Sequence, residues 1–113
     1  MLSKDKRLNL KKDFSWVASG KKVGNNFLKL FLKSGDNTQV RIGIALSKAA
    51  FKKATERNRA RRLTSKGFEN LYSKLSPGIN IVAMPREGIL KLNSDEITGM
   101  LEDLLKRNGV IKR

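Results

Sequence analysis

The sequence predicts an α+β fold: a two-layer sandwich of a small mixed sheet, three to four strands, with helices, in the order α-β-β(-β)-α-β-α. Three observations carry this expectation. Apolar residues recur at helical spacing in two long segments, near 55–73 and 94–108. Strand-length apolar runs stand at 27–33, 40–46 and 79–84. Turn chemistry separates them, Ser34-Gly35-Asp36-Asn37 and Ser76-Pro77-Gly78. At 113 residues the chain is read as one domain spanning 1–113, large enough for a single core.

Residues 1–10 are polar and basic and are expected to be mobile without a partner. Residues 11–19 form a short helix with Phe14 and Val17 on one side and Trp16 off that stripe, and Gly20 stops it. A further short strand is possible near 22–24. Residues 27–33 and 40–46 then read as two strands of a hairpin, the second with Val40, Ile42, Ile44 and Leu46 on one face. Residues 47–54 are a basic connector. Thr55 is placed to cap the next helix, with Glu56 in its first turn, and this helix runs to about Ser73. Residues 79–84 are apolar almost throughout, which suits a strand buried on both faces and closed by Pro85. Ser94 caps the last helix. Its stripe is Ile97, Met100, Leu101, Leu104 and Leu105, and Asn108-Gly109 ends it.

The formal charge is +15, and its placement says more than its size. Residues 1–33 carry nine Lys/Arg against two acids, residues 41–66 nine against one, and residues 67–113 seven against six. The basic surplus therefore lies in the first 66 residues. Acidic membranes and nucleic acids both attract such a chain. Membrane binding would need a bulky apolar helix face left unpaired, whereas here the apolar faces are required for the core. No apolar run is long enough for a transmembrane helix, and the charged N-terminus lacks a signal-peptide core. With neither cysteine nor histidine, the chain has no disulfide framework, no thiolate zinc site and no imidazole base. The expected location is cytoplasmic.

The sharpest feature is Glu56-Arg57-Asn58-Arg59-Ala60-Arg61-Arg62-Leu63. At helical spacing Arg59, Arg62 and Lys66 share one side, Arg57 and Arg61 a flank, and Ala60, Leu63, Gly67 and Leu71 the opposite side. A plain solvated helix face would mix lysine with glutamate. Four arginines beside one acid repel one another until a polyanion is present, and the guanidinium fork suits phosphate. Lys48, Lys52 and Lys53 in the connector add phosphate-binding charge, and Arg7, Lys11 and Lys12 add diffuse charge. The acids Asp95, Glu96, Glu102 and Asp103 suit helix ends and surface, not catalysis.

The chain resembles the protein subunit of bacterial ribonuclease P. The residues that carry the resemblance run in that family's order: Arg7-Leu8, Asp13-Phe14, Gly20-Lys21-Lys22, the strand at 26–32, the block Arg41-Ile42-Gly43-Ile44-Ala45-Leu46-Ser47-Lys48, the Arg-Asn-Arg helix with Phe68, and Pro85-Arg86 after the last strand. The resemblance implies a left-handed β-α-β crossover, although right-handed ones are the general rule. It implies an endoribonuclease that removes the 5′ leader of precursor tRNA with Mg²⁺ held mainly by a catalytic RNA subunit, the protein monomeric and 1:1 with that RNA. By the same resemblance Lys52, Lys53, Arg57, Asn58, Arg59, Arg61, Arg62 and Lys66 would bind the RNA subunit. Arg7, Lys11, Phe14, Trp16, Leu30 and Lys48 would line the leader cleft, with Leu30 at a position often tyrosine in the family. No catalytic or metal-ligating residue is expected on the protein. Two other readings remain beside it: a general structured-RNA binder, and a self-sufficient nuclease, which would need a carboxylate cluster in a basic region that offers Glu56 alone.

Overall fold

The computed structural model describes residues 2–111, so positions 1, 112 and 113 lie outside the described residues. The main elements are α1 (Leu10–Ala18), β1 (Lys21–Gly24), β2 (Leu28–Ser34), β3 (Arg41–Ile44), α2 (Ala54–Leu71), β4 (Ile79–Pro85) and α3 (Ser94–Arg107). Short 3-10 turns occupy Lys4–Lys6, Tyr72–Lys74 and Glu87–Lys91. The α+β class, the mixed sheet and the element order are those the sequence predicts, and the optional short strand is present as β1.

The strand pairing differs from the expected hairpin. The sheet order is β1-β2-β4-β3, so β4 separates β2 from β3. It runs antiparallel to β2, with Leu30 opposite Ala83, and parallel to β3, with Ile42 opposite Ile81. The physical reason lies in β4 itself, where six of seven residues are buried. A strand apolar on both faces gains most from the centre of a sheet, and a β2–β3 hairpin would have left it at an edge. The hairpin that does form joins β1 to β2. The Asn25 carboxamide oxygen closes its turn by accepting from the Phe27 and Leu28 amides at 2.8 and 3.1 Å.

Alternation along β2 divides the molecule. Leu28, Leu30 and Leu32 face the layer made by α2 and α3, in one core with Ile42, Ile81, Ala83, Phe68, Leu71, Ile97, Leu101 and Leu105. On the other face Leu8, Val17 and Val82 are buried, with Leu10, Phe14, Phe31, Ala45 and Met84 packed around them. Thus α2 and α3 form the second layer of the sandwich, and α1 lies across the opposite face of the sheet. Gly43 permits this, because a Cβ there would stand 2.6 Å from Leu10 Cδ2.

The N-terminal segment, expected to be mobile, is packed. Leu2 and Leu8 are buried, and the Leu8 amide donates to the Ile42 carbonyl at 3.0 Å, which covers the outer edge of β3. Two caps also move. Lys53, not Thr55, precedes α2, and no side chain caps it. Asn93, not Ser94, caps α3, accepting from the Glu96 amide at 2.8 Å while the Glu96 carboxylate accepts from the Asn93 amide at 3.1 Å. An asparagine with glutamate three residues later satisfies two end amides, which a cap at Ser94 would not. Among the described residues no helix is long and apolar enough to cross a membrane.

Phe68 is fully buried between the sheet and α3. Phe68→Ala is expected to destabilise the fold by about 3–5 kcal/mol, read from urea denaturation. Tyr72, the one tyrosine, donates its hydroxyl to the Val40 carbonyl and has Lys6 Nζ 4.5 Å from its ring centroid. Burial, then the charge of Asp5, pushes its phenol above the ordinary value of 10.0, with Arg41 opposing. The neutral phenol is favoured in the folded state, so its stabilisation is present below pH 10.0 and lost as pH rises through the higher folded value. Absorbance titration of the native protein should place the tyrosine midpoint above that of the urea-unfolded chain.

Candidate nucleic-acid interface

Helix α2 sets its arginines by what it must bury. Ala60, Thr64, Ser65, Gly67, Phe68 and Leu71 are its buried residues, while Leu63 is half-buried. The buried meridian is therefore turned slightly from the expected one, towards Thr64 and Phe68. Thr64 is accommodated because its hydroxyl donates to the Ala60 carbonyl at 2.8 Å. The opposite side is basic as expected. Arg59, Arg62 and Lys66 are exposed and line one shallow depression with Leu63 and Ser94, the first residue of α3.

The other members of the predicted set are not equivalent. Arg57 is half-buried, and its Nη1 donates to the Phe51 carbonyl at 2.7 Å and the Lys52 carbonyl at 3.4 Å. It secures the connector to the start of α2, in place of the missing side-chain cap. Asn58 is exposed and accepts from Arg61 Nη1 at 3.2 Å, so one guanidinium orients the carboxamide. Lys48, Lys52 and Lys53 are exposed on the connector, which fully buried Phe51 anchors. Phe51 lies outside the motif, and its apolarity within a lysine-rich run is the signal that marks it.

The predicted cleft set is split by the structure. Phe14 meets Phe31 edge to face, centroids 6.2 Å apart and rings at 67°. Lys11, exposed, precedes Phe14 by one turn on the same helix. Leu30 does not belong with them, since it is fully buried on the α2–α3 side. A shift of one residue on a strand exchanges faces, and the outward aromatic is Phe31. Trp16 does not share the flank of Phe14 either. Two residues on a helix turn through about 200°, and the indole lies against Gly35 and Lys33. Arg7 stands at the β3 edge, where it lines a pocket with Leu8 and Leu10 from the α1 side and Arg61 and Ser65 from α2.

Three lysines or arginines absent from the predicted set complete the outer face. Lys29 Nζ stands 5.8 Å from the Phe31 centroid, and Lys22, Lys29 and Arg86 line a depression with Asn25 and Asn26 at the hairpin end. The signal was the Lys29-Phe31-Lys33 alternation, which gives a basic-aromatic-basic row on one strand face. Among the described residues no group of three or more histidines, cysteines or carboxylates is placed to hold a metal ion. The arrangement offers two chemistries: fixed cations for phosphate, and an aromatic-lined strand face for unpaired bases. Arg57→Ala is expected to cost about 1.5–3 kcal/mol in urea denaturation, and Arg59→Ala within about 0.5 kcal/mol.

Comparison with known proteins gives one answer. The family model described as Ribonuclease P matches residues 2–109. The ribonuclease P protein component of a Pseudanabaena species is 34% identical over 98% of this chain and 97% of its own. That of Clostridioides difficile is 30% identical over 96% of each. The solved ribonuclease P protein of Thermotoga maritima, in complex with 1-(4-fluorophenyl)-2-thiourea, is 26% identical and superposes with a TM-score of 0.79 over 89% of this chain and 98% of its own. A Staphylococcus aureus ribonuclease P protein mutant, at 24% identity, shares the fold with a TM-score of 0.83 over 96% of this chain and 92% of its own. The arginine helix, the packed aromatic face and these matches agree: the chain belongs to the ribonuclease P protein family.

Proposed function

We propose that this protein binds the catalytic RNA subunit of ribonuclease P through α2 and holds the single-stranded 5′ leader of precursor tRNA on the outer sheet face beside α1. Membership of the family places the chain in tRNA 5′ processing, as a component of a ribonucleoprotein endoribonuclease. The observation that carries the finer reading is the separation of two surfaces. One is an exposed cationic front, Arg59, Arg62 and Lys66, and the other an aromatic strand face, Phe14 and Phe31. The first suits a folded RNA backbone and the second an unpaired strand. The connector with Lys48, Lys52 and Lys53 leads from β3 into α2.

In this reading Arg59, Arg62, Lys66, Lys52 and Lys53 neutralise phosphates of the RNA subunit, with Asn58 and Arg61 adding hydrogen bonds. Arg57 holds the connector in place for them. Phe14, Phe31, Lys11, Lys29 and Lys48 position the leader so that the scissile phosphate meets the catalytic centre. Mg²⁺, held mainly by the RNA subunit, would supply the activated water there. The protein contributes charge and orientation, one copy for each RNA.

The decisive test is cleavage of precursor tRNA by a bacterial ribonuclease P RNA at low Mg²⁺, with and without the protein. Restored cleavage at the mature 5′ end, and silence of the protein alone, are expected. Binding without any gain in cleavage would reduce the protein to a general polyanion binder. Two variants refine this. Arg59→Ala should lower affinity for the RNA subunit and reduce the salt slope by about 0.7–0.9. Phe31→Ala should weaken holoenzyme affinity for precursor but not for mature tRNA, by about 1–3 kcal/mol if it stacks one base.

A further inference from the structure

Trp16 is the exposed large hydrophobic residue among the described residues, with 42% of its surface accessible. Its position is nevertheless built. The Cη2 edge abuts Gly35, where a Cβ would stand only 2.8 Å away. Lys33 Nζ lies 5.2 Å from the ring centroid and donates to the Ser19 hydroxyl at 2.9 Å, which itself donates to the Trp16 carbonyl at 2.6 Å. The loop beneath is tied by buried Asn80, whose amide nitrogen donates to the Lys33 carbonyl at 3.2 Å and to Asn37 Oδ1 at 2.9 Å. The indole is thus held at one edge and beside one cation, with two-fifths of its surface open to solvent.

Its surroundings are cationic. Lys12 is one turn earlier on α1, and Lys33 belongs to the outward row Lys29-Phe31-Lys33, whose members are about 7 Å apart along the strand. Lys22 pairs with Phe31 from β1, on the same face. This row leads from the Phe14–Phe31 pair past the C-terminal end of α1 to Trp16. It pairs a cation with an aromatic at each end, Lys29 with Phe31 and Lys33 with Trp16.

We infer that Trp16 and Lys33 form a second nucleobase platform, on the far flank of α1, that receives a leader nucleotide upstream of those held by Phe14 and Phe31. The inference rests on the leader reading given above. The occupant is a single-stranded ribonucleotide: its base covers the open part of the indole, and its phosphates meet Lys33, Lys22 and Lys12. The protein then senses leader length as well as leader presence.

Because the chain has one tryptophan, the site reports on itself. Tryptophan emission of the reconstituted holoenzyme should be followed with two precursors. One has a leader just long enough to fill the Phe14–Phe31 cleft, and the other is several nucleotides longer. Emission should be quenched by the long leader, not by the short one, and not by the RNA subunit alone. Trp16→Ala and Lys33→Met should each weaken binding of the long-leader precursor, Trp16→Ala by about 5-fold or more, and bring it to the short-leader value. Trp16→Phe should retain part of the preference. Unchanged emission with both leaders overturns the inference, as does quenching by the RNA subunit alone, which would make Trp16 a contact of that subunit. If neither leader length nor Phe31→Ala alters affinity, the leader reading itself fails.

Discussion

Burial of β4 on both faces is the constraint from which the rest of the molecule follows. Ile79, Ile81 and Ala83 enter the core shared with α2 and α3, and Val82 is buried beneath α1. Such a strand has to be central, with β2 on one side and β3 on the other. Because β3 is parallel to it, the chain between them must cross the sheet, and that crossing is α2. Because its second face is apolar too, α1 must lie over Val82. The arginine front and the aromatic face are thus placed by the burial requirements of one largely apolar strand.

Charge is distributed unevenly around this core. Among the described residues, the ion pairs Lys74–Glu102 at 3.1 Å and Arg107–Asp103 at 3.2 Å lie in the less basic last third of the chain, on exposed surface where such pairs contribute little. The net surplus of basic residues in 1–66 is self-repelling, at a cost to the compact state. Arg57 shows how the fold limits that cost. Its guanidinium is turned onto two backbone carbonyls, so one of the four arginines also holds the interface together.

The fold class and the arginine helix were legible because each rests on local periodicity. Ala60, Phe68 and Leu71 sit inward and Arg59, Arg62 and Lys66 outward simply because 3.6 residues make a turn. Strand order was not legible from adjacency, since β2 and β3 follow one another in the chain yet are separated by β4. Nor was the strand face: Leu30 and Phe31 are neighbours in a run of mixed alternation, and only packing against Ala83 and Val82 decides which turns outward. Trp16 stands apart from the Phe14 flank for another reason. The groups it lies against, Gly35 and Lys33, are distant in sequence, and no local pattern announces them. The N-terminal segment was read by its charge, while Leu2 and Leu8 determined its packing.

The hydrogen bond from Leu8 to Ile42 carries a consequence for solubility. A four-stranded sheet has two borders, and an uncovered border invites pairing with another molecule. Here the β3 border is overlaid by the segment around Arg7 and Leu8. The β1 border is short, four residues, and begins with Lys21-Lys22. One border is physically shielded and the other electrostatically hostile to a second copy. The first residues therefore guard against polymerisation, a duty unrelated to RNA, in a protein whose own charge would otherwise be its main defence.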